Sequence, residues 1–359
     1  MKKYSVLVIL VLVIIFLWLI VGLRKNQSFT NGILPIQFQA KTDSTKPTPT
    51  PIPAYDLTIP YLRSRTYTSS LGSLQKVNEY GSYTSYVTSY TSDGLKINGL
   101  LTKPSGIEPP GGWPGIVFVH GYIPPKTYET LGQPYSAYVD YLAKSGFVVF
   151  KIDLRGHGDS QGEARGGYYS SDYVIDTLNA YAALATADFV NSKKIGMWGH
   201  SMAGNTLLRA FVVRPTIPAV VIWAGAGYTY VDLSQYGLHD ASYQPLPRPT
   251  GASGSAQQRN TNQARQIYGD PRNGNPFWKL VAATNYLNDL KGAIQLDQAT
   301  DDQTVSIEYS RNLNMLLNAT SVVHEFNEFP SGGHNISGVN FTEAMNKTVG
   351  FFDTYLKGK

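Results

Sequence analysis

Residues 194–211 pass from an apolar, strand-like stretch, Lys194-Ile195-Gly196-Met197-Trp198, through Gly199-His200-Ser201-Met202-Ala203-Gly204 into a helix-like run, Asn205–Phe211. A serine with small residues two positions before and after it, on so sharp a strand-to-helix turn, has a strained backbone and an exposed hydroxyl. The small residues let strand and helix approach. This is the form of a nucleophile elbow centred on Ser201. Glycine is usual at the last position of the pattern, and Ala203 is small enough to keep the turn. The motif constrains the rest of the chain, because an activated serine of this kind takes an acid and then a histidine from further along, in that order.

Only three histidines follow Ser201: His239, His324 and His334. His334 stands in Phe329-Pro330-Ser331-Gly332-Gly333-His334-Asn335, a glycine-rich loop between a strand-like run and a C-terminal helical pattern, where a mobile general base belongs. His324 falls within the strand pattern Val322–Phe326 and reads as structural. His239 lies in a variable-looking insertion. For the acid, Ile294-Gln295-Leu296 reads as a buried strand and is followed by Asp297, Asp301 and Asp302. The acid would bond the imidazole N–H, fix its tautomer and stabilise the imidazolium. Asp301 and Asp302 also suit a turn or the N-cap of the helix expected over 305–317. An oxyanion hole needs two donors aimed at the developing charge. One is the backbone N–H of Met202. The other comes from the loop after an early strand, here Gly115–Val119 followed by His120-Gly121-Tyr122, with the Tyr122 N–H as the candidate and its phenol as an alternative.

These residues together carry a resemblance. His120-Gly121, Asp153-Leu154-Arg155-Gly156-His157-Gly158-Asp159-Ser160, Gly199-His200-Ser201-Met202-Ala203, Asp302 and His334 are similar to the pattern of α/β-hydrolases, and within them of prolyl-oligopeptidase-type and dienelactone-hydrolase-like serine hydrolases. The resemblance favours Asp302 as the acid, with Asp301 second, because the family loop places the acid three residues before a valine (Val305). It also implies that Arg155 and His157 sit in a structural turn without chemistry. It further implies cleavage of esters or peptide bonds through an acyl-enzyme, with no cofactor. Oligopeptidase relatives often carry a β-propeller before the catalytic domain, and the short stretch between linker and first strand leaves no room for one there.

Composition excludes other chemistries. The chain has 359 residues, 42% of them hydrophobic, enough for one large α/β domain with a core. It has no cysteine, which removes disulfides, thiolate zinc sites, cysteine catalysis and a lipoprotein anchor. Its six histidines form no His-Glu-x-x-His pattern, so no catalytic metal is expected. The Arg155–Ser160 run lacks both the dinucleotide glycine spacing and a P-loop lysine. The formal charge is +5, with Lys2, Lys3, Arg24 and Lys25 supplying four positive charges and no acid among the first 25 residues. The basic balance therefore belongs to the flanks of a membrane segment rather than to a nucleic-acid surface.

That segment, Ser5–Leu23, is continuously apolar and near the roughly 20 residues needed to cross a bilayer. It is longer than a secretory h-region, and Gly22-Leu23-Arg24-Lys25 is a poor cleavage site. Residues 1–25 therefore read as an uncleaved signal anchor. Residues 26–54 form a linker with Lys46-Pro47-Thr48-Pro49-Thr50-Pro51-Ile52-Pro53, whose alternating prolines favour extended polyproline II. Basic residues flank the span evenly, and the linker tips the expectation toward a single-pass cell-membrane protein with its domain outside the cytoplasm.

Residues 55–359 are the expected catalytic domain. A lead-in is followed by a hairpin, 84–90 and 95–102 across Asp93-Gly94. Six apolar runs then alternate with helical patterns: 115–119, 147–152, 194–198, 219–224, 292–296 and 321–326. Strands separated by helices imply βαβ units and a mostly parallel sheet, here eight-stranded with helices on both faces. An insertion over about 225–291 is the expected cap, with Tyr228 and Trp278 as possible pocket walls or ordinary packing aromatics. Tyrosine is abundant at 25 residues, so neither aromatic is diagnostic by itself. Two other functions remain open on the same residues. One is acyl transfer to an acceptor other than water; the other is a non-catalytic surface-binding domain that kept the fold. Substrate identity and oligomeric state are not encoded in any motif.

Overall fold

Asp93 and Gly94 both take positive φ, 50° and 77°. They close a two-residue turn in which Ser92 pairs with Leu95. Such a turn matches the twist of its two strands, β2 (Tyr83–Ser92) and β3 (Leu95–Pro104). The computed structural model describes residues 52–168, 170–238 and 264–358. From this hairpin the sheet grows to nine strands with the addition of β1 (Gln75–Tyr80), β4 (Trp113–Val119), β5 (Val148–Ile152), β6 (Val190–His200), β7 (Ala219–Trp223), β8 (Ala293–Ala299) and β9 (His324–Phe329). Their spatial order is β1-β2-β3-β5-β4-β6-β7-β8-β9. β1, β2, β3 and β5 pair antiparallel in turn, and every pair from β5 through β4 to β9 is parallel.

The fold is that of an α/β-hydrolase. The extra strand relative to the expected eight is β1. All six of its residues are exposed, and its ladder to β2 is interrupted between Lys76 and Asn78. An edge strand with neither face buried carries no alternation of apolar residues, so periodicity has nothing to report there.

Alternation is clear in the centre. On β4, Ile116 and Phe118 join one core while Val117 and Val119 join the other. Helices α2 (Ser136–Lys144) and α8 (Phe341–Phe352) cover the first face through Val139, Leu142, Met345 and Phe352. Helices α3 (Asp172–Ala185) and α4 (Ala203–Val213) cover the second through Val174, Leu178, Leu207 and Phe211. Each such side chain contributes about 1.5–3 kcal/mol on full burial, and the strands between the layers are buried on both faces, as parallel strands are. Helix α7 (Glu308–Asn318) adds Tyr309, Leu313 and Leu317 at helical spacing to the second core.

Two arginines fix the periphery. Arg209 on α4 is buried and donates to Leu57 O (2.8 Å), Ser170 O (2.5 Å) and Ser171 Oγ (2.9 Å). It thereby ties the lead-in, including α1 (Ile59–Ser64), to the domain. Arg155 pairs with Asp176 (2.7 Å) and Asp172 (3.0 Å), and His157 is buried nearby, in keeping with a structural turn. The described parts of the insertion hold α5 (Tyr230–Tyr236) and α6 (Pro276–Val281). α5 is joined to α7 by Asn312 Nδ2–Asp232 Oδ1 at 2.8 Å. α6 packs in a small cluster with Leu57 and Tyr230. Among the described residues no helix is long and apolar enough to cross a membrane. The apolar stretch 5–23, the linker as far as Pro51, His239 and the polar stretch 250–262 lie outside the described residues.

At the carboxyl end of β8, Asp297 is fully buried. It accepts from Gln295 Nε2 (2.5 Å), Asn327 Nδ2 (2.7 Å) and Thr348 Oγ1 (3.4 Å). All three donors are neutral. Burial pushes its carboxyl up to about 7 despite these bonds and the field of Lys347. From about pH 4 to about pH 7 the folded chain then keeps a proton that the unfolded chain releases. Stability contributed here is present at the acid end of that window and lost as pH rises through it. Asp297→Asn is expected to gain on the parent in melting temperature as pH is raised from about 5 to about 8. A difference that stays constant with pH would contradict a protonated Asp297.

Candidate active site

β6 ends at His200 and α4 begins at Ala203, leaving Ser201 on the turn with φ 58°. That left-handed conformation is unusual for a residue with a Cβ. Its own backbone bonds hold it there. Ser201 N donates to Trp223 O (2.9 Å), and Ser201 O accepts from Gly204 N (2.8 Å) and Ala226 N (3.1 Å). The small neighbours are required by contact: a Cβ on Gly199 would lie 2.7 Å from Leu207 Cδ1 and 2.8 Å from Ala203 Cβ, and one on Gly204 would lie 2.7 Å from Gly225 Cα. Ala203 is itself buried beneath the turn, so alanine fits where glycine is usual.

His334 Nε2 lies 2.8 Å from Ser201 Oγ, and its Nδ1 lies 2.9 Å from Asp302 Oδ2. Asp302 follows β8 and its side chain is wholly buried, while that of His334 keeps 18% of its surface exposed. Oδ1 of Asp302 accepts from Thr304 N (2.9 Å) and Val305 N (3.0 Å), and Oδ2 also from Gln298 Nε2 (3.2 Å). Burial alone would raise its pKa. The His334 bond and charge, with the two backbone N–H groups, outweigh burial and hold the carboxylate below its usual range. The adjacent Asp301 points elsewhere. It accepts from Gly333 N (2.8 Å) and Gly332 N (3.3 Å), clamping the loop that carries His334. That loop is held rather than loose. Tyr138 Oη donates to Asn335 O (2.8 Å), and Asn340 Nδ2 donates to Ser331 O (2.7 Å).

Of the two residues expected to form an oxyanion hole, Met202 is the N-cap of α4, at the helix end where leading N–H groups have no acceptor within the helix. The β4 loop lies against Ser201: a Cβ on Gly121 would stand 3.0 Å from Ser201 Cβ and 2.6 Å from Tyr135 Oη. Tyr122, next in that loop, packs partly buried against the second core. Tyr228 and Trp278 are 2% and 4% exposed. Tyr228 belongs to the second core, and Trp278 packs with Leu57, Tyr230 and Phe277 while donating to Gly269 O at 3.1 Å. These are packing surroundings. Among the described residues no grouping of His, Asp and Glu is arranged to hold a metal ion.

Two residues at the site carried no sequence signal. His200, buried at the end of β6, faces Tyr135 Oη with Nδ1 and His334 O with Nε2, both at 2.8 Å. Tyr135, just before α2, accepts from Gly121 N at 2.8 Å. His200 fills the variable position of the elbow, where only its polarity at the end of a buried strand could have marked it.

The model of the serine aminopeptidase S33 family matches residues 115–338, which include Ser201, Asp302 and His334. The chain belongs to this family. It is a serine hydrolase. Over 226 residues it is 24% identical to the uncharacterized peptidase YtmA of Bacillus subtilis, covering 63% of this chain and 76% of that protein. The acetyl xylan esterase of Paenibacillus sp. R4 shares its fold, with a TM-score of 0.58 at 19% identity over 83% of this chain and 92% of that one. So does the Pyrococcus horikoshii acylaminoacyl peptidase, with a TM-score of 0.58 at 20% identity over 78% of this chain and 43% of that one.

The unequal geometry of the two aspartates gives a direct test of this S33-family site. Asp302→Asn is expected to lower kcat for p-nitrophenyl acetate by about 10⁴-fold, as loss of the orienting acid does elsewhere. Asp301→Asn, which keeps a carbonyl acceptor for the loop, is expected to cost far less. Equal losses would mean that the two residues act as one unit.

Proposed function

We propose that Ser201, His334 and Asp302 are the catalytic triad of an acyl hydrolase that cleaves esters or peptide bonds through an acyl-enzyme. The observation that carries this reading is the unbroken pair of contacts, Ser201 Oγ to His334 Nε2 at 2.8 Å and His334 Nδ1 to Asp302 Oδ2 at 2.9 Å. Ser201 Oγ attacks the acyl carbonyl as His334 Nε2 takes its proton. Asp302 holds Nδ1–H and stabilises the imidazolium. The N–H groups of Met202 and Tyr122 receive the oxyanion. Imidazolium then protonates the leaving alcohol or amine, and water repeats the steps on the acyl-enzyme. The route needs no cofactor. Support for a peptide or ester substrate comes from the family and from relatives named as peptidases.

Residues 1–25 act in this proposal as a signal anchor, with residues 26–54 spacing the catalytic domain away from the outer face of the cell membrane. The support is the length and composition of Ser5–Leu23 and the proline-rich linker. External protease on intact cells should remove the domain, and a domain that stays protected overturns this sidedness.

The test of the chemistry is turnover by the full chain on two probe sets, p-nitrophenyl esters and aminoacyl p-nitroanilides. Wild type is expected to turn over at least one set. Ser201→Ala should lose on the order of 10⁶-fold in kcat, by analogy with removal of the nucleophile in serine proteases. Retention of turnover in Ser201→Ala would overturn the assignment. The balance between the two sets assigns the enzyme to ester or to peptide bonds.

A further inference from the structure

Two loops must hold station on either side of the reacting acyl group: the one after β4, which carries Gly121 and Tyr122, and the one after β9, which carries His334. They come from opposite ends of the matched region. Between them runs one continuous chain of hydrogen bonds. Gly121 N–H donates to Tyr135 Oη at 2.8 Å. Tyr135 Oη lies 2.8 Å from His200 Nδ1, and His200 Nε2 lies 2.8 Å from His334 O.

The direction of every proton in this chain follows from its ends. The carbonyl of His334 can only accept, so His200 Nε2 carries a hydrogen. A neutral imidazole then has Nδ1 free to accept, and Tyr135 Oη donates to it. The phenol oxygen in turn accepts the Gly121 N–H. The three bonds run in one sense, from Gly121 N–H through Tyr135 and His200 to His334 O. His200 is 2% exposed, and burial together with the neighbouring His334 pushes its pKa down to about 3, so the neutral form is the resident one. Tyr135 is itself held at φ 70°, a conformation costly for a residue with a side chain. Its ring is packed against Phe118, Trp198 and His200. The His200 and His334 rings stand 4.5 Å apart.

We propose that His200 and Tyr135 are positioning residues that fix the separation and register of the oxyanion loop and the general-base loop through this single neutral hydrogen-bond chain. The inference rests on the triad reading above. The bonds described join these residues to each other and to backbone groups, not to Ser201 Oγ or the imidazole nitrogens of His334. Tyr135 holds the His120–Gly121 peptide, one unit before the peptide that carries the Tyr122 N–H, and His200 anchors the backbone carbonyl of His334. Loss of either link uncouples the two loops from each other while the other bonds of each remain, and a displacement of about 1 Å at a reacting group costs on the order of 100-fold in rate.

The experiment uses the full chain, with p-nitrophenyl acetate turnover and the rate of fluorophosphonate labelling as readouts. Tyr135→Phe removes the phenol oxygen and with it the bonds to Gly121 N and His200 Nδ1. It is expected to lower kcat by ~10- to 100-fold with KM changed little, and to slow labelling in parallel. His200→Leu should do the same. His200→Gln, whose amide offers an N–H and a carbonyl, should recover part of the loss. The double variant Tyr135→Phe/His200→Leu should be no worse than the poorer single variant, because one chain can be broken only once.

Tyr135→Phe turnover within about twofold of wild type, with Ser201→Ala inactive, overturns the positioning role and leaves the triad standing. So do additive losses in the double variant, or a loss confined to KM. An active Ser201→Ala would instead sink the triad reading on which the inference rests. Should Tyr135→Phe fail to fold, the contrast between His200→Leu and His200→Gln carries the test: equal loss in both contradicts the proposal.

Discussion

Ser201 sits in a left-handed backbone conformation at the end of a central strand, and much of the architecture serves to keep it there. A strained residue of this kind costs on the order of 1–3 kcal/mol and persists only where its surroundings over-determine it. Here the surroundings are the next strand, through Trp223 O, and the two chain segments that donate to Ser201 O, at Gly204 and Ala226. β6 lies between β4 and β7 in the parallel part of the sheet. Its ladders on both sides therefore resist any local relaxation of the turn. The close approach of α4 to Gly199 and of the chain after β7 to Gly204, which leaves no room for a Cβ at either, completes the restraint.

The same topology explains why residues far apart in sequence meet. The loops after β4, β6, β8 and β9 all leave the sheet at carboxyl ends of parallel strands, the side where open α/β sheets gather ligands. The loop after β8 brings a buried carboxylate whose charge is stabilised by two backbone N–H groups and by imidazole. The loop after β9 brings the imidazole. Asp301 and Asp302, adjacent in sequence, divide the work. One side chain turns inward to the His334 ring, and the other turns to the backbone of Gly332 and Gly333. The carboxylate bonded to the His334 ring and the carboxylate bonded to the His334 loop are thus one peptide apart.

What the sequence made legible was the local and the periodic. The elbow, the Asp93-Gly94 hairpin and the fully buried strands are each signalled by a few contiguous residues, and all appear where their patterns stand. Chain order after the elbow singles out His334 on its glycine-rich loop, and the structure sets that residue beside Ser201. Asp302 needed family resemblance, since both aspartates suit a turn equally well and only the direction of a side chain separates them. β1 escaped because an edge strand with both faces exposed leaves no hydrophobic period. Asp297 was visible as a residue, but its raised pKa comes from complete burial between β8, β9 and α8, which outweighs the neutral donors around it and which only the folded packing creates. The links through Tyr135 and His200 were invisible for a similar reason: each bond joins elements that only the sheet topology brings together.

The central claim is that Ser201 attacks an acyl group whose oxygen is received by the N–H groups of Met202 and Tyr122. Its most direct test is a crystal structure of the full chain after reaction with a small alkyl fluorophosphonate. The account predicts a phosphorus bonded to Ser201 Oγ, with the phosphonyl oxygen about 2.7–3.1 Å from both N–H groups. An unmodified Ser201 in a protein labelled elsewhere, or an adduct whose oxygen faces away from both donors, would contradict it.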